Sequence, residues 1–309
     1  MSENLCDLCP RRCHAARPFS AGEEPLPGVC RSPRQLMISR AGLHFWEEPV
    51  ISGDKGSGTI FFAGCNLHCV FCQNHEISVS SGGRAVDIPN FRRICQRLID
   101  RGAHNINLVT PGHFVPEIIE ALPEKLPVPV VYNSNGYELP GTLAMLEGKI
   151  DIYLPDLKYA DPEISRRYSR AADYFETACA AIDEMYRQTG NFVVGDDGML
   201  KRGVIIRHLI LPGQLENTLR VIEYVAKRFQ PGEVFFSLMR QYLPCGLVSE
   251  ENFPELNRRI SDEEYEIAEA ALFASGIEDG FVQDAESAVK DFIPDFVDGG
   301  SDPDAVSLE

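Results

Sequence analysis

The sequence has no uninterrupted apolar run of membrane-spanning length, so we expect no transmembrane helix. Its start, MSENLCDLCP, also lacks the basic segment and apolar stretch that mark a secretory signal peptide. We therefore expect a cytoplasmic protein, in a compartment where thiols stay reduced. A chain of 309 residues buries about 75% of its unfolded surface and needs no disulfide staples. Its ten cysteines thus indicate metal ligation or redox chemistry.

A basic domain is also missing from the sequence. The net charge is −17, but residues 245–309 carry 18 acidic and 3 basic side chains, whereas the part before them is nearly neutral. Binding to nucleic acid needs a basic surface, so the composition argues against that class of partner. We expect the acidic end to form a solvated helix face and, over residues 284–309, a partly disordered tail, because residues 298–309 have little apolar content.

Short apolar segments alternate with longer amphipathic ones along most of the chain. The predicted strands are residues 58–64, 105–110, 129–133, 151–157, 203–210 and 233–238. The predicted helices are residues 88–102, 113–122, 141–148, 164–190, 214–229 and 261–276. This alternation indicates parallel strands joined by right-handed crossovers. The predicted fold is α/β, a partial TIM barrel of the (β/α)6 type, two units short of eight. It covers residues 42–283 and follows an irregular cysteine-rich metal-binding segment at residues 1–41.

Polar and unusual residues follow each predicted strand, in the segments GCNLHC, TPGH, NSNG, DLK, RHLILPG and MRQY. Active sites of barrel folds form at the carboxyl ends of the strands. Residues with a purely structural role have no reason to keep to one end of a sheet. The pattern therefore predicts a single site built from all six strand ends.

The segment GCNLHCVFCQN after the first strand places Cys65, Cys69 and Cys72 within eight positions. This i, i+4, i+7 spacing also fits a buried cysteine stripe on a helix, but Gly64 and Asn66 disfavour a helix start. Structural zinc sites usually pair two close cysteines with two distant ligands. Iron–sulfur clusters are held by thiolates, and three thiolates on a four-iron cube leave one iron open to a small molecule.

The Cys65-x3-Cys69-x2-Cys72 spacing, with Phe71 before the last cysteine, resembles the signature of the radical S-adenosylmethionine (radical SAM) superfamily. The longer stretch GTIFFAGCNLHCVFCQN is similar to the branch related to pyruvate formate-lyase activating enzymes. The resemblance covers about residues 42–283. It implies a [4Fe-4S] cluster, S-adenosyl-L-methionine bound at the open iron, and hydrogen abstraction by a 5′-deoxyadenosyl radical. It also implies an electron donor such as flavodoxin or ferredoxin and, in the activating-enzyme branch, a glycyl-radical enzyme as the partner.

The same resemblance assigns roles to residues at the other strand ends. Thr110 begins a Thr-Pro-Gly stretch where the family often has Gly-Gly-Glu, whose backbone holds the amino group of the substrate. The segment YNSNGY is similar to the TNG segment of activating enzymes, and LPDLK resembles their LDLK. The implied catalytic residues are Lys158 and Arg207. The implied cofactor-binding residues are Phe71, Thr110, Asn133, Ser134, Asn135, Asp156, Lys158, Arg207 and His208.

Some of these residues also have other interpretations. A monovalent cation site of the kind found in some activating enzymes would use Asn133, Ser134 and Asp156. Asp156 and Lys158 could instead form an ordinary exposed ion pair that contributes little. His208 could be a hydrogen-bonded core histidine. The segment SLMRQY offers substrate-side candidates, although a methionine beside an aromatic ring more often serves packing; they are Met239, Gln241 and Tyr242.

A second group of cysteines, Cys6, Cys9, Cys13 and Cys30, lies near the amino terminus. Four thiolates with one close pair and a distant fourth suit a closed site, which is either zinc or a second [4Fe-4S] cluster. We favour the cluster, because the adjoining domain already handles clusters and electrons. Arginines around this segment provide either a docking surface for an acidic electron donor or plain solubility; they are Arg11, Arg12, Arg31 and Arg34.

Two classes of function follow from the sequence. The first is a radical SAM enzyme whose substrate is a glycyl-radical partner protein, a small molecule or a peptide. The second is a non-catalytic iron–sulfur electron carrier or a metal-stabilised binding protein. A carrier has no need of the polar residues at the strand ends, so we favour the enzyme.

Overall fold

The structure, a computed structural model, describes residues 5–20, 28–79, 82–283 and 304–309. The strands are β1 (Leu36–His44), β2 (Ser57–Phe62), β3 (Arg84–Val86), β4 (Ile106–Val109), β5 (Val130–Ser134), β6 (Ile152–Pro155), β7 (Val193–Val194), β8 (Leu200–Leu209), β9 (Phe235–Met239) and β10 (Gly280–Val282). The helices are α1 (Pro49–Ser52), α2 (His75–Val79), α3 (Ile88–Asp100), α4 (Val115–Ala121), α5 (Pro140–Ala144), α6 (Pro162–Ser169), α7 (Tyr174–Thr189), α8 (Leu215–Arg228) and α9 (Asp262–Ala274). Two single 3-10 turns lie at Gly112–Phe114 and Pro254–Leu256. Across these residues, no helix is long and apolar enough to cross a membrane.

One sheet runs in the order β10-β9-β8-β6-β5-β4-β2-β1-β3, with β7 paired to β8. The six predicted strands are β2, β4, β5, β6, β8 and β9, and each pairs in parallel with its neighbour. This confirms the α/β class and the partial TIM barrel. The two terminal strands, β10 and β3, do not pair with each other in the described part of the chain, so the sheet is not closed. β10 adds a further parallel strand, which the sequence did not predict.

β1 was also missed, because it begins inside the segment predicted to be irregular. It pairs antiparallel with both β2 and β3 and is mostly buried. This strand ties the amino-terminal segment to the barrel sheet. It also delivers the chain, after His44, to the interior side of the sheet, where it contributes to the site.

The helices pack on the outer face of the sheet over a large apolar core. In α3, the apolar residues fall on one side of the helix, and that side packs on the sheet. Phe91, Ile94 and Leu98 are buried there. The Asp87 side chain accepts a hydrogen bond from the backbone N–H of Asn90 and so caps the first turn. α9 has the predicted capping box between Ser261 and Glu264.

The predicted helix 164–190 is broken into α6 and α7. Arg170 adopts a left-handed conformation with φ of 51°, which ends α6 at Ser169. The carbonyl oxygens that have no helical partner at this point accept hydrogen bonds from another segment. The Arg11 side chain donates to Ser169 O at 2.7 Å and to Arg170 O at 2.5 Å. A residue of the amino-terminal segment therefore satisfies the helix end.

Of the acidic tail, residues 284–309, only residues 304–309 are among the described residues, so its partial disorder stays a prediction. Residues 304–309 lie along the part of β1 that β3 does not pair with, where Leu43 N–H donates to Asp304 O at 3.0 Å and Val306 N–H donates to Ala41 O at 2.9 Å. Backbone pairing with β1 therefore holds these last residues in place.

Candidate functional site

An open cavity of about 1420 Å³, counted out to its mouth, lies inside the curve of the parallel strands. The predicted site residues at its wall come from the carboxyl ends of all six predicted strands; they are Cys65, Cys69, Phe71, Cys72, Thr110, Asn133, Ser134, Asn135, Asp156, Lys158, Arg207, Met239 and Gln241. The cysteines and the polar strand-end residues therefore face one common space.

The three-cysteine loop follows β2 directly and turns through two left-handed residues, Gly64 and His68. Its sulfur atoms accept hydrogen bonds from three separate parts of the chain. The Leu67 backbone N–H lies 3.3 Å from Cys65 Sγ, and the Asn135 side-chain amide lies 3.4 Å from the same sulfur. The Ser169 hydroxyl donates to Cys69 Sγ at 3.1 Å. Donors of this kind stabilise the negative charge of a thiolate.

The buried environment of the three thiols bears on whether a metal fits there. Burial, together with the charges of Cys69 and Cys65, raises the pKa of the Cys72 thiol to about 12. Burial likewise raises the pKa of Cys65. Thiols at these positions become thiolates only when a positive charge is bound beside them. The donor set thus suits iron, which binds cysteine as thiolate.

Within the ranges described above, no three His, Cys, Asp or Glu side chains lie close enough together to hold one metal ion.

Phe71 is buried and lies on the cavity wall beside Cys72. Its ring makes edge contacts with Tyr159, Tyr168 and Tyr242 at centroid distances of 6.1–6.4 Å. This aromatic group anchors the end of the cysteine loop against the core. Tyr242, predicted on the substrate side, belongs to this packing instead, because its hydroxyl donates to Leu256 O at 2.9 Å.

Asp156, Lys158 and Arg207 form one ion-pair network beside the cysteines. Lys158 Nζ lies 2.6 Å from Asp156 Oδ2, and Arg207 Nε lies 3.0 Å from Asp156 Oδ1. Each side chain is 16% exposed or less, so the alternative of an ordinary surface pair is wrong. Burial opposes charge on Lys158, but the neighbouring Asp156 and Cys69 outweigh burial and raise the pKa of Lys158. The lysine therefore stays a cation.

Glu47 is the site residue that the sequence reasoning missed. Its carboxylate binds three strands: Asn107 of β4 at 3.1 Å, Asn133 of β5 at 3.0 Å and Arg207 of β8 at 2.9 Å. The side chain is only 11% exposed. The next residue, Glu48, is buried and hydrogen-bonds Ser237 of β9. The segment after β1 therefore lies inside the curve of the parallel strands and forms a floor under the cavity.

A signal for Glu47 is present in the sequence. The pair Glu47-Glu48 follows the aromatic run His44-Phe45-Trp46 and precedes Pro49. Two adjacent acids after an aromatic run are unusual in an apolar setting and mark a polar site. Because they come before the first strand signal, the strand-end argument does not reach them.

The monovalent cation site on Asn133, Ser134 and Asp156 is not formed. Both Asp156 oxygens accept from the cations Arg207 and Lys158. Asn133 Oδ1 accepts from Arg207 at 2.7 Å, and the Ser134 hydroxyl donates to Glu138 at 2.8 Å. Two protein cations already stand where the metal cation would bind, and they would repel it.

His208 does not line the cavity and is not placed to bind a cofactor. Its Nδ1 lies 2.7 Å from Leu157 O, and its Nε2 lies 2.9 Å from the Thr218 hydroxyl. Burial lowers its pKa to about 4, so the ring is neutral. The prediction that His208 binds the cofactor is wrong, and its alternative as a core histidine is right.

The amino-terminal cysteines lie outside the cavity but against its cysteine loop. Cys9 and Cys30 are buried, whereas Cys6 and Cys13 are half-buried. The four are free thiols. Within the described part of the chain, no three of them lie close enough together to hold one metal ion. The identity of their metal stays a prediction.

Comparisons with known proteins identify the family of this chain. Residues 59–234 match the model of the Radical SAM superfamily. An uncharacterized protein of Methanocaldococcus jannaschii is 31% identical over 274 residues, which are 85% of this chain and 72% of that protein. A 7-carboxy-7-deazaguanine synthase of Methanothermobacter thermautotrophicus is 32% identical over 102 residues, 32% of this chain and 40% of the synthase. Among solved structures, SuiB of Streptococcus suis bound to S-adenosylmethionine has 11% identity and a TM-score of 0.45. The similar part covers 77% of this chain and about half of SuiB, 52% of its length.

Proposed function

Because this chain belongs to the Radical SAM superfamily, we propose that it cleaves S-adenosyl-L-methionine at a [4Fe-4S] cluster held by Cys65, Cys69 and Cys72. When bound, the cluster supplies the electron that splits the sulfonium into methionine and a 5′-deoxyadenosyl radical, which abstracts hydrogen from a substrate. The observation that carries the proposal is the cavity wall. It presents three cysteines and no fourth among its described lining residues, so one corner of a cube is left for a small molecule.

The chain's own residues hold and shield the cluster position. The three thiolates bind it, and donors from Leu67, Asn135 and Ser169 stabilise their negative charge. Phe71 and the tyrosines around it exclude water from one side of the loop. A dry, hydrogen-bonded setting of this kind tunes the reduction potential of a cluster.

The strand ends would bind S-adenosyl-L-methionine. Thr110 stands in a left-handed conformation, φ 58°, which is sparsely populated for this residue type and typical of ligand sites. Its N–H donates to Asn133 O at 2.8 Å, which fixes it at the cavity wall. Lys158 presents a cation suited to the cofactor's carboxylate, and Arg207 is held in place by Asp156 and Glu47.

The test is product formation in the absence of oxygen. The reconstituted protein, reduced with dithionite and given S-adenosyl-L-methionine, should release 5′-deoxyadenosine and methionine. Cys69→Ala should abolish release, whereas Cys95→Ala, a buried thiol in α3, should leave it intact. Failure of the unmodified protein to exceed Cys69→Ala would leave only the alternative of a non-catalytic iron–sulfur protein.

The geometry favours a small polar substrate within this reaction. The floor of the cavity is built from fixed charges, Glu47, Arg207 and Asp156, which would orient polar groups rather than apolar ones. A narrower alternative is activation of a glycyl-radical enzyme. It rests on the likeness of residues 58–74 to that branch, whereas the family match is to the superfamily as a whole. An electron paramagnetic resonance (EPR) doublet of a glycyl radical on a partner protein would favour the alternative.

A further inference from the structure

The amino-terminal cysteines are brought together by the backbone of their own segment. Cys6 N–H donates to Ala15 O at 3.0 Å, and Arg12 N–H donates to Cys9 O at 3.1 Å, so residues 6–15 form a closed loop. Gly28 packs against this loop, because a Cβ at that position would lie 3.3 Å from Cys13 Sγ. This contact places Cys30 beside the loop. Cys9 lies close enough to Cys30 and Cys6 to interact with both electrostatically, which agrees with the grouping.

The cysteine segment also touches the loop that holds the first cluster. A Cβ on Gly64 would lie 2.4 Å from Cys30 O and 2.3 Å from the Ser32 hydroxyl, so only a glycine allows this approach. Gly64 directly precedes Cys65. One backbone contact therefore separates a ligand of the amino-terminal group from a ligand of the radical cluster.

Arg11, which lies between Cys9 and Cys13, joins the two cysteine groups. Its Nε donates to Asn66 O at 2.8 Å, and its Nη2 donates to Leu67 O at 3.2 Å, both inside the three-cysteine loop. The same guanidinium binds the carbonyl of Ser169, whose hydroxyl donates to Cys69 Sγ. The Arg11 side chain thus connects the amino-terminal cysteine group to Ser169, the residue that donates to Cys69 Sγ.

The amino-terminal group has one buried side and one exposed side. Cys9 and Cys30 face inward, whereas Cys6 and Cys13 are half-buried. The described exposed residues of the cysteine segment include Phe19, which is 75% exposed, and three arginines against one acid, Asp7; the arginines are Arg12, Arg31 and Arg34. Such a surface is complementary to an acidic protein partner.

We propose that Cys6, Cys9, Cys13 and Cys30 hold a second [4Fe-4S] cluster, and that an acidic flavodoxin-type carrier reduces the radical cluster through it. The carrier gives one electron to the second cluster and is itself oxidised by one electron. The second cluster passes that electron inward, returns to its oxidised state, and leaves the radical cluster reduced by one. No bond forms or breaks in these steps. The role as a relay rests on the proposed function of the first cluster, but the presence of the second cluster does not.

Iron and sulfide counts test the second cluster without any turnover. After anaerobic reconstitution, the unmodified chain should bind about eight irons and eight sulfides, and Cys65→Ala/Cys69→Ala/Cys72→Ala should retain about four of each. Cys6→Ala/Cys13→Ala should also retain about four, whereas the control Cys95→Ala/Cys179→Ala should keep all eight. One zinc ion, or no metal, in the variant that lacks the first three cysteines would overturn the proposal.

Reduction kinetics test the relay and need no S-adenosyl-L-methionine. Cys6→Ala/Cys13→Ala should slow reduction of the radical cluster by reduced flavodoxin about tenfold or more, because the carrier then has no cluster at its docking surface. Dithionite, which is small enough to reach the cavity, should reduce both proteins equally fast. EPR after rapid freezing identifies which cluster has received the electron. Equal rates with flavodoxin would overturn the relay.

A charge-reversal variant covers the case in which the cysteine variant loses its fold. Arg12→Glu/Arg34→Glu keeps every cysteine and should still bind about eight irons. At low salt, its reduction by flavodoxin should be about tenfold slower, with the difference shrinking as salt is added. An unchanged rate at low salt would contradict docking at this surface. Loss of 5′-deoxyadenosine with dithionite in the unmodified chain, by contrast, would contradict the proposed function alone.

Discussion

The Arg207 guanidinium donates from Nη1 to Glu47 at 2.9 Å, although 160 residues separate the two in the chain. Its Nε binds Asp156 and its Nη2 binds Asn133, so the guanidinium is held by three strands or loops at once. A guanidinium has five N–H donors. Arg207 therefore keeps donors for a ligand while its plane and position are already set, which reduces the entropy cost of binding.

We expect Glu47→Gln to slow the formation of 5′-deoxyadenosine about 10- to 100-fold, because it removes a charged hydrogen-bond partner that positions Arg207. Iron content should not change, since Glu47 does not contact the cysteines. The measurement is a single-turnover assay with dithionite. Asp54→Asn, an exposed acid paired with His104 near the same segment, is the matched control and should retain full activity. A rate equal to that of the control would contradict the positioning role.

The reduction potential of the radical cluster should depend on Asn135. Its amide donates to Cys65 Sγ, and such a donor stabilises the more negative, reduced state. Asn135→Ala should therefore lower the potential by roughly 30–60 mV, which for a one-electron couple is about 0.7–1.4 kcal/mol, the usual net contribution of one hydrogen bond. An EPR-monitored redox titration measures this shift. Asn191→Ala, which removes an amide bonded to the exposed Tyr186, should leave the potential unchanged. A higher potential in Asn135→Ala would contradict this account.

The sequence predicts the part of the site that local patterns encode. Each parallel strand is a short apolar run, and the polar residues directly after it, such as Thr110, Asn135 and Lys158, reach one edge because the strands share a direction. The cysteine spacing likewise depends on eight neighbouring positions. These features need no knowledge of the tertiary structure.

The rest depends on contacts between distant residues. Glu47 becomes a site residue only because β1 returns the chain to the inside of the curved sheet. The break between α6 and α7 is stabilised by Arg11, more than 150 residues away. His208 follows a strand pattern that points to the site, yet Thr218 and Leu157 hold it in the core. Local periodicity carries no information on these pairings.

Residues 304–309 should contribute to stability and not to catalysis. Deleting them removes two backbone hydrogen bonds to β1 and the burial of Val306 and Leu308. We expect the free energy of unfolding to fall by about 1–3 kcal/mol, measured by urea denaturation, with cluster content unchanged. Glu309→Gln removes only an exposed ion pair with Arg84 and should change stability by less than about 1 kcal/mol. A deletion as stable as this control would contradict the docking.

The buried, neutral state of His208 predicts a loss of stability in acid. Burial lowers its pKa to about 4 in the folded protein, against an ordinary value of 6.5. Above pH 6.5 both states are neutral, whereas between pH 6.5 and 4 only the unfolded chain takes up the proton. His208 should therefore cost the folded state up to about 3 kcal/mol as the pH falls across this window. Denaturant titrations should show a shallower acid dependence for His208→Gln, while the exposed control His14→Gln keeps the steep one. Equal slopes in the two variants would contradict this assignment.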